Sequence, residues 1–183
     1  MPKKHSQSWK RIKTELGPHL KIFQVRFNWL QNPRNSTVFK ATQLEAPDWV
    51  NVVALTPERD VVVVRQYRFG NERVTTEIPA GTIEKGESSQ AAAARELKEE
   101  TGYTSSDWEY LGYVEPNPAF LNNMCHLWLA KDVKKTHPAE LDGGEDIITD
   151  LMNLEELRQE IADGKLRHSL ALVALSRVFE ALW

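Results

Sequence analysis

Five glutamates fall within the 23 residues Gly81–Tyr103, GTIEKGESSQAAAARELKEETGY: Glu84, Glu87, Glu96, Glu99 and Glu100. The alanine run Ala91–Ala94 is strongly helix-forming. Ser88 or Ser89 offers an N-cap and Gly102 a C-terminal stop, so a helix is expected over 89–101. On that helix Glu96 and Glu100 share one face, about 6 Å apart along the axis, and Glu99 borders it. Exposed carboxylates at this spacing repel by a few tenths of a kcal/mol per pair. Arg95 reaches Glu99 at i, i+4 and Lys98 adds a second positive charge, but one arginine does not neutralise three acids. A hard divalent cation, which prefers carboxylate and carbonyl oxygens, is one compensation. A solvated, charge-laced helix face is the other, and ELKEE alone leaves both open.

The elements that would hold this helix are mostly strands. They are expected near 20–29, 36–44, 50–55, 60–68, 108–114, 124–130 and 146–152, with turns at Asn32-Pro33 and Thr56–Asp60. The apolar run Val61–Val64 suits a strand buried on both faces. Two further helices are expected, at 154–163, stopped by Gly164, and at 168–182. In the second, Leu170, Val173, Leu175, Val178, Phe179 and Leu182 form an apolar face. Strands interleaved with few helices imply an α/β fold with a mixed sheet covered on both sides. No Pro/Gly-rich linker divides the chain, so the first strands read as an extension of one domain.

Composition narrows the class. The 183 residues hold 41 % hydrophobic and 27 % charged side chains, with a net charge of -3, as in an ordinary folded domain. No stretch approaches the roughly 20 apolar residues that span a bilayer, so no membrane association is expected. The single cysteine, Cys125, excludes an internal disulfide and a multi-cysteine zinc site. The basic start MPKKHSQSWKRIK lacks the apolar stretch of a secretory signal, so a reducing cytoplasm is the expected location, with a transit peptide the alternative. Residues 1–40 carry nine Lys/Arg against the lone acid Glu15, which is either a site for anions or a solvated surface. No stacking or zinc motif accompanies the basic residues, so nucleic acid is not expected as a partner. A P-loop, a GxGxxG and a GxSxG elbow are all missing. Cys125 and His126 adjoin on a strand and face opposite sides, which argues against a nucleophile–base pair.

The glutamate-rich segment resembles the signature of the Nudix hydrolases, G-x5-E-x7-R-E-U-x-E-E-x-G-U, where U is a bulky aliphatic residue. Gly81, Glu87, Arg95, Glu96, Leu97, Glu99, Glu100 and Gly102 fit at the required spacing, and Tyr103 alone departs. The resemblance implies an α/β/α sandwich, with a β-rich extension over 1–47 and the Nudix domain over 48–183. It implies Mg²⁺, or Mn²⁺, held by Glu96, Glu99, Glu100 and the backbone carbonyl of Ala80. Arg95 would orient the glutamates, Glu87 would brace the loop onto the helix, and Gly81 and Gly102 would shape its two ends.

RQYRFG (65–70) and EIPAGTIEKGE (77–87) resemble the ADP-ribose and nucleoside-diphosphate-sugar branch of that family. By this likeness Arg68 contacts the diphosphate and Glu77 makes polar contacts to substrate; a surface arginine and a solvent-facing strand residue are the plain alternatives. Pro118, in EPNPAF 16 residues after Gly102, and the strand HLWLAKDV (126–133) extend the likeness. Aromatic platforms for the nucleobase would come from Trp29, Phe39 or Trp49. The catalytic base would be Glu145 in Gly143-Gly144-Glu145-Asp146, with Glu99 as the second candidate. The expected reaction is hydrolysis of nucleoside diphosphate sugars, ADP-ribose foremost, by a homodimer. GDP-mannose, dinucleoside polyphosphates and capped RNA are alternative substrates, and a nucleotide-sugar-binding module without catalysis is the alternative function.

Overall fold

The computed structural model describes residues 7–144 and 146–179. The chain divides into two compact units, one of residues 1–47 with 115–123 and one of 48–114 with 124–183.

In the first unit β1 (Lys10–Leu20), β2 (Phe23–Gln31) and β3 (Val38–Glu45) form an antiparallel sheet in the order β1-β2-β3. β1 is a strand that the sequence reading did not anticipate, because Gly17-Pro18 reads as a breaker. The sheet absorbs that pair as an irregularity, with the register shifting between Leu16 and His19. Proline is tolerated there because β1 is an edge strand at a bulge. Leu20 closes β1, and the chain reverses through Lys21, whose φ is 50°. The strand expected over 20–29 therefore starts at Phe23. The segment 115–123 joins β3 through the amide of Leu44, which donates to Phe120 O at 2.8 Å.

The second unit is built on two sheets. β7 (Ala80–Thr82), β4 (Trp49–Ala54), β10 (Cys125–Lys131) and β9 (Asp107–Val114) lie in the order β7-β4-β10-β9, with β4 and β10 parallel. β12 (Ile147–Met152), β5 (Val61–Arg68) and β6 (Arg73–Glu77) lie antiparallel in the order β12-β5-β6. A short ladder pairs β8 (Tyr103–Thr104) with β11 (Lys134–Lys135). The three helices among the described residues are α1 (Ser89–Thr101), α2 (Leu154–Ala162) and α3 (Ser169–Ser176).

Strand alternation sorts the core into two layers. Val50, Val52, Ala54 and Val62 pack against Ala92, Ala93 and Leu97 of α1. Val53, Leu55, Val61 and Val63 turn the other way, onto Leu157 of α2 and Leu170, Ala171, Ala174 and Leu175 of α3. The sheets are thus covered on both sides, an α/β/α arrangement, and Val61–Val64 is buried on both faces as its composition implies. The strands β6 and β7 are additions to the sequence reading, too short and polar to stand out. The last helix, expected over 168–182, stops at Ser176; Val173 and Val178 flank the core, and Leu182 lies outside the described residues. Among the described residues no helix is long and apolar enough to cross a membrane.

Candidate active site

The loop from β7 into α1 is set by local rules. Gly86, at φ 87°, turns the chain, and the Glu87 amide donates to Glu84 O at 3.0 Å. The Ser88 hydroxyl accepts from the amide of Ala91 at 3.2 Å and caps α1. Gly102 ends the helix in the left-handed region at φ 75°, its amide donating to Lys98 O at 2.8 Å. The carbonyl of Gly102 then accepts from the amides of Thr136 and His137, and the Glu140 amide donates to Glu99 O at 2.8 Å. These contacts hold the 136–140 segment against the end of α1; nothing in the local sequence signals them.

Arg95 lies at the centre of the acidic cluster. Its Nε and Nη2 donate to the two carboxylate oxygens of Glu87 at 3.0 Å each. Nη1 donates to Glu96 Oε1 at 2.8 Å and to Glu99 Oε2 at 3.0 Å, and Nη2 also reaches Thr82 O at 2.9 Å. All five guanidinium N–H groups are used. The hydrogen bonds to Glu87 and Glu96 raise the pKa of Arg95 against the opposing effect of its burial. Those same bonds from Arg95 hold the Glu87 carboxyl below the usual carboxylate range.

Glu96 and Glu100 turn toward β7. A Cβ placed on Gly81 would lie 2.0 Å from Glu96 Cδ, so the bare glycine is what lets this carboxylate rest against the loop backbone. Glu100 is 2 % exposed and accepts from the amide of Ala80 at 3.0 Å. The Glu96 and Glu100 carboxylates therefore lie against the Ala80–Gly81 backbone, and Glu99 joins them through Arg95. Among the described residues no three acidic, histidine or cysteine side chains converge on one ion position. Arg95 occupies carboxylate oxygens of both Glu96 and Glu99.

Arg68, at the end of β5, forms a two-pronged pair with Glu77 of β6. Its Nε donates to Oε1 at 2.8 Å and its Nη2 to Oε2 at 2.7 Å. Glu77 is not the solvent-facing residue that strand position alone allowed; it is 1 % exposed. Thr75 Oγ1 donates to Oε1 at 2.6 Å, and His168 Nδ1 lies 3.5 Å from Oε2. Burial pushes the Glu77 carboxyl upward, but Arg68, His168 and Thr75 together outweigh it and hold its pKa below the ordinary value. His168 escaped the sequence reading, since no spacing motif links it to Glu77.

The remaining candidates lie on other elements. Trp49 packs against the core layer on the α3 side, whereas α1 and its glutamates cover the other face of the sheet. Pro118 is exposed in a turn of the first unit. In that unit Lys13 and Lys40 lie 4.7 and 4.9 Å from the ring of Trp29, and Phe39 is 61 % exposed. Cys125 is buried and burial pushes its thiol up to about 12, while His126 turns outward to bond Tyr110 at 2.8 Å. The proposed base Glu145 lies outside the described residues.

Residues 47–172 match the NUDIX domain. A methanol dehydrogenase activator of Bacillus methanolicus is 36 % identical over 91 % of this chain and 90 % of that protein. An ADP-ribose pyrophosphatase of Bacillus subtilis (strain 168) is 32 % identical over 80 % of this chain and 83 % of that protein. The fold of a crystal structure of an ADP compounds hydrolase superposes with a TM-score of 0.83, at 24 % identity, over 98 % of this chain and 96 % of that one. With the motif glutamates gathered on one helix flank and the domain matched over most of the chain, the protein belongs to the Nudix hydrolase family.

Proposed function

We propose that this chain hydrolyses the pyrophosphate bond of nucleoside diphosphate sugars, ADP-ribose foremost, with Mg²⁺ as cofactor and Mn²⁺ as a substitute. The observation that carries the reading is the placement of Glu96 and Glu100 against the Ala80–Gly81 backbone, with Glu99 tied to Glu96 through Arg95. The relative named ADP-ribose pyrophosphatase supports the choice of substrate.

The donor set has the chemistry that a hard divalent cation takes, and its Glu96 and Glu99 side chains would have to turn from Arg95 to converge on one ion. The set consists of carboxylate oxygens and a backbone carbonyl, and Gly81 leaves the Glu96 carboxylate room that any side chain would fill. Glu96, Glu99, Glu100 and the Ala80 carbonyl would hold the ion. When bound, it neutralises phosphate oxygens and lowers the pKa of water. Arg68 holds the diphosphate by charge-assisted hydrogen bonds. Water adds to one phosphorus as the bridging P–O bond breaks, and the bridging oxygen leaves with the other phosphate. The proton released by water goes to Glu145, with Glu99 as the second candidate base. Nucleoside monophosphate and sugar phosphate are the products.

Residues 1–47 are assigned to a homodimer contact, a choice supported by the exposed apolar side chains of Ile12, Leu16 and Phe39. A cytoplasmic location accords with the single buried cysteine. The test is incubation with ADP-ribose and millimolar Mg²⁺, followed by chromatography of the products. Release of AMP and ribose 5-phosphate is expected; no release from any nucleotide sugar would refute the reading. The relative named as a methanol dehydrogenase activator favours a second reading, in which the chain raises the activity of a dehydrogenase. Stimulation of purified methanol dehydrogenase by the wild-type chain would support it.

A further inference from the structure

The stretch 165–168, between α2 and α3, runs beside the outer edge of β6. β6 is an edge strand, so its outward backbone groups need partners from outside the sheet. The Thr76 amide donates to Lys165 O at 3.4 Å, and the Thr76 hydroxyl donates to Glu160 Oε2 at 2.7 Å. The next residue along the strand is Glu77, and facing it is His168.

His168 occupies the N-cap of α3, a position where Ser, Asp or Asn would satisfy an open helix amide. It makes no capping bond. Instead its Nδ1 is closed off from solvent and lies 3.5 Å from Glu77 Oε2, without a hydrogen-bond partner at that distance. Glu77 Oε1 already accepts two bonds, from Arg68 Nε and Thr75 Oγ1, whereas Oε2 accepts from Arg68 Nη2 and has a second lone pair left for the ring. We propose that His168 is a positioning residue, whose ring fixes the Glu77 carboxylate so that Glu77 in turn aims the Arg68 guanidinium at the anionic substrate. Burial holds the ring below its ordinary pKa, so at neutral pH it is uncharged, and the Nδ1–H tautomer is the form that would close the 3.5 Å gap to Oε2 as a donor. An uncharged donor braces Glu77 without competing as a cation for the bond to Arg68. The inference rests on the reading of Arg68 as the side chain that holds the diphosphate.

His168→Ser separates this role from a merely structural one. Serine is the better cap for α3 and is too short to reach Glu77, so the melting temperature should hold or rise. The KM for ADP-ribose should rise several-fold while kcat stays within about two-fold, the pattern of lost ground-state binding. A second measurement is independent of turnover. The Arg68 Nε–H, which donates to Glu77 Oε1 at 2.8 Å, should give an exchange-protected signal in ¹⁵N NMR of the wild type that broadens or vanishes in His168→Ser. An unchanged KM, or an Arg68 signal equally protected in both proteins, overturns the proposal. A wild-type chain that cleaves no nucleotide sugar refutes the substrate reading instead, and the Arg68 signal still decides whether His168 sets its position.

Discussion

The buried carboxylate of Glu100 accepts a hydrogen bond from the backbone amide of Ala80 at 3.0 Å, tying the last turn of α1 to the start of β7. The bond needs an acceptor at that place; it does not need a charge. Glu100→Gln keeps an acceptor oxygen of the same reach and removes the negative charge that would hold a divalent ion. The variant should fold with a near-native melting curve and lose pyrophosphatase activity by two or more orders of magnitude. Near-normal turnover in Mg²⁺ would falsify the role of Glu100 as a metal ligand.

Gly81 and Gly102 should fail differently when replaced by alanine. At Gly81 the new methyl would overlap the Glu96 carboxylate, the far end of a flexible side chain that can swing away. The fold should survive with a small change in melting temperature, while Mg²⁺ affinity and kcat fall sharply. At Gly102 the methyl would lie 2.0 Å from the carbonyl oxygen of His137, a backbone atom, at a φ of +75°. The left-handed conformation alone costs an alanine about 1–2 kcal/mol, so Gly102→Ala should unfold at clearly lower temperature. Paired melting and Mg²⁺-titration curves check both; equal stability losses at the two positions would contradict the assignment.

How far these relations were legible beforehand depends on their range in sequence. The bounds of α1 follow from Ser88 and Gly102, and the two-faced burial of Val61–Val64 follows from an unbroken apolar run; both are local signals. The shared flank of Glu96 and Glu100 follows from helical spacing. What spacing could not supply is the partner across the fold. Glu77 reads as a strand residue free to face solvent, and only the docking of 165–168 along β6 buries it beside His168. Trp49 fits an aromatic platform by type, yet strand parity sends it to the α3 side. β1 was hidden because Gly17-Pro18 signals a break that an edge strand can accommodate.

Arg95 offers five N–H donors in a planar fork and uses every one, on Glu87, Glu96, Glu99 and Thr82 O. Lysine carries the same charge on a single nitrogen with three donors, and cannot reach three carboxylates and a carbonyl together. Arg95→Lys should cost about 1.5–3 kcal/mol of stability, the range for losing a hydrogen bond to a charged group. It should also release Glu87 and slow turnover at least ten-fold. Urea unfolding and a steady-state assay measure the two effects. A lysine variant with wild-type midpoint and rate would show that charge alone, and not the fork, organises the glutamates.

Acid should weaken the fold in two stages, with signs that follow from the groups involved. His168 has a pKa below its ordinary value, burial being the main cause. The unfolded chain therefore takes up this proton first as pH falls below about 6.5, and stability declines from there until the folded-state pKa is passed. Glu77 and Glu87 also have depressed values, Glu77 because Arg68, His168 and Thr75 outweigh its burial and Glu87 chiefly because of its hydrogen bonds to Arg95. Their contribution is present above the ordinary carboxylate range and is lost as pH falls through their folded values, below about 4.3. His168→Ser should flatten the decline between about pH 5 and 6.5 and leave the acid limb in place. Melting temperatures taken across that range in both proteins decide the matter. Parallel slopes above pH 5 would mean that the His168 ring takes up protons as readily folded as unfolded.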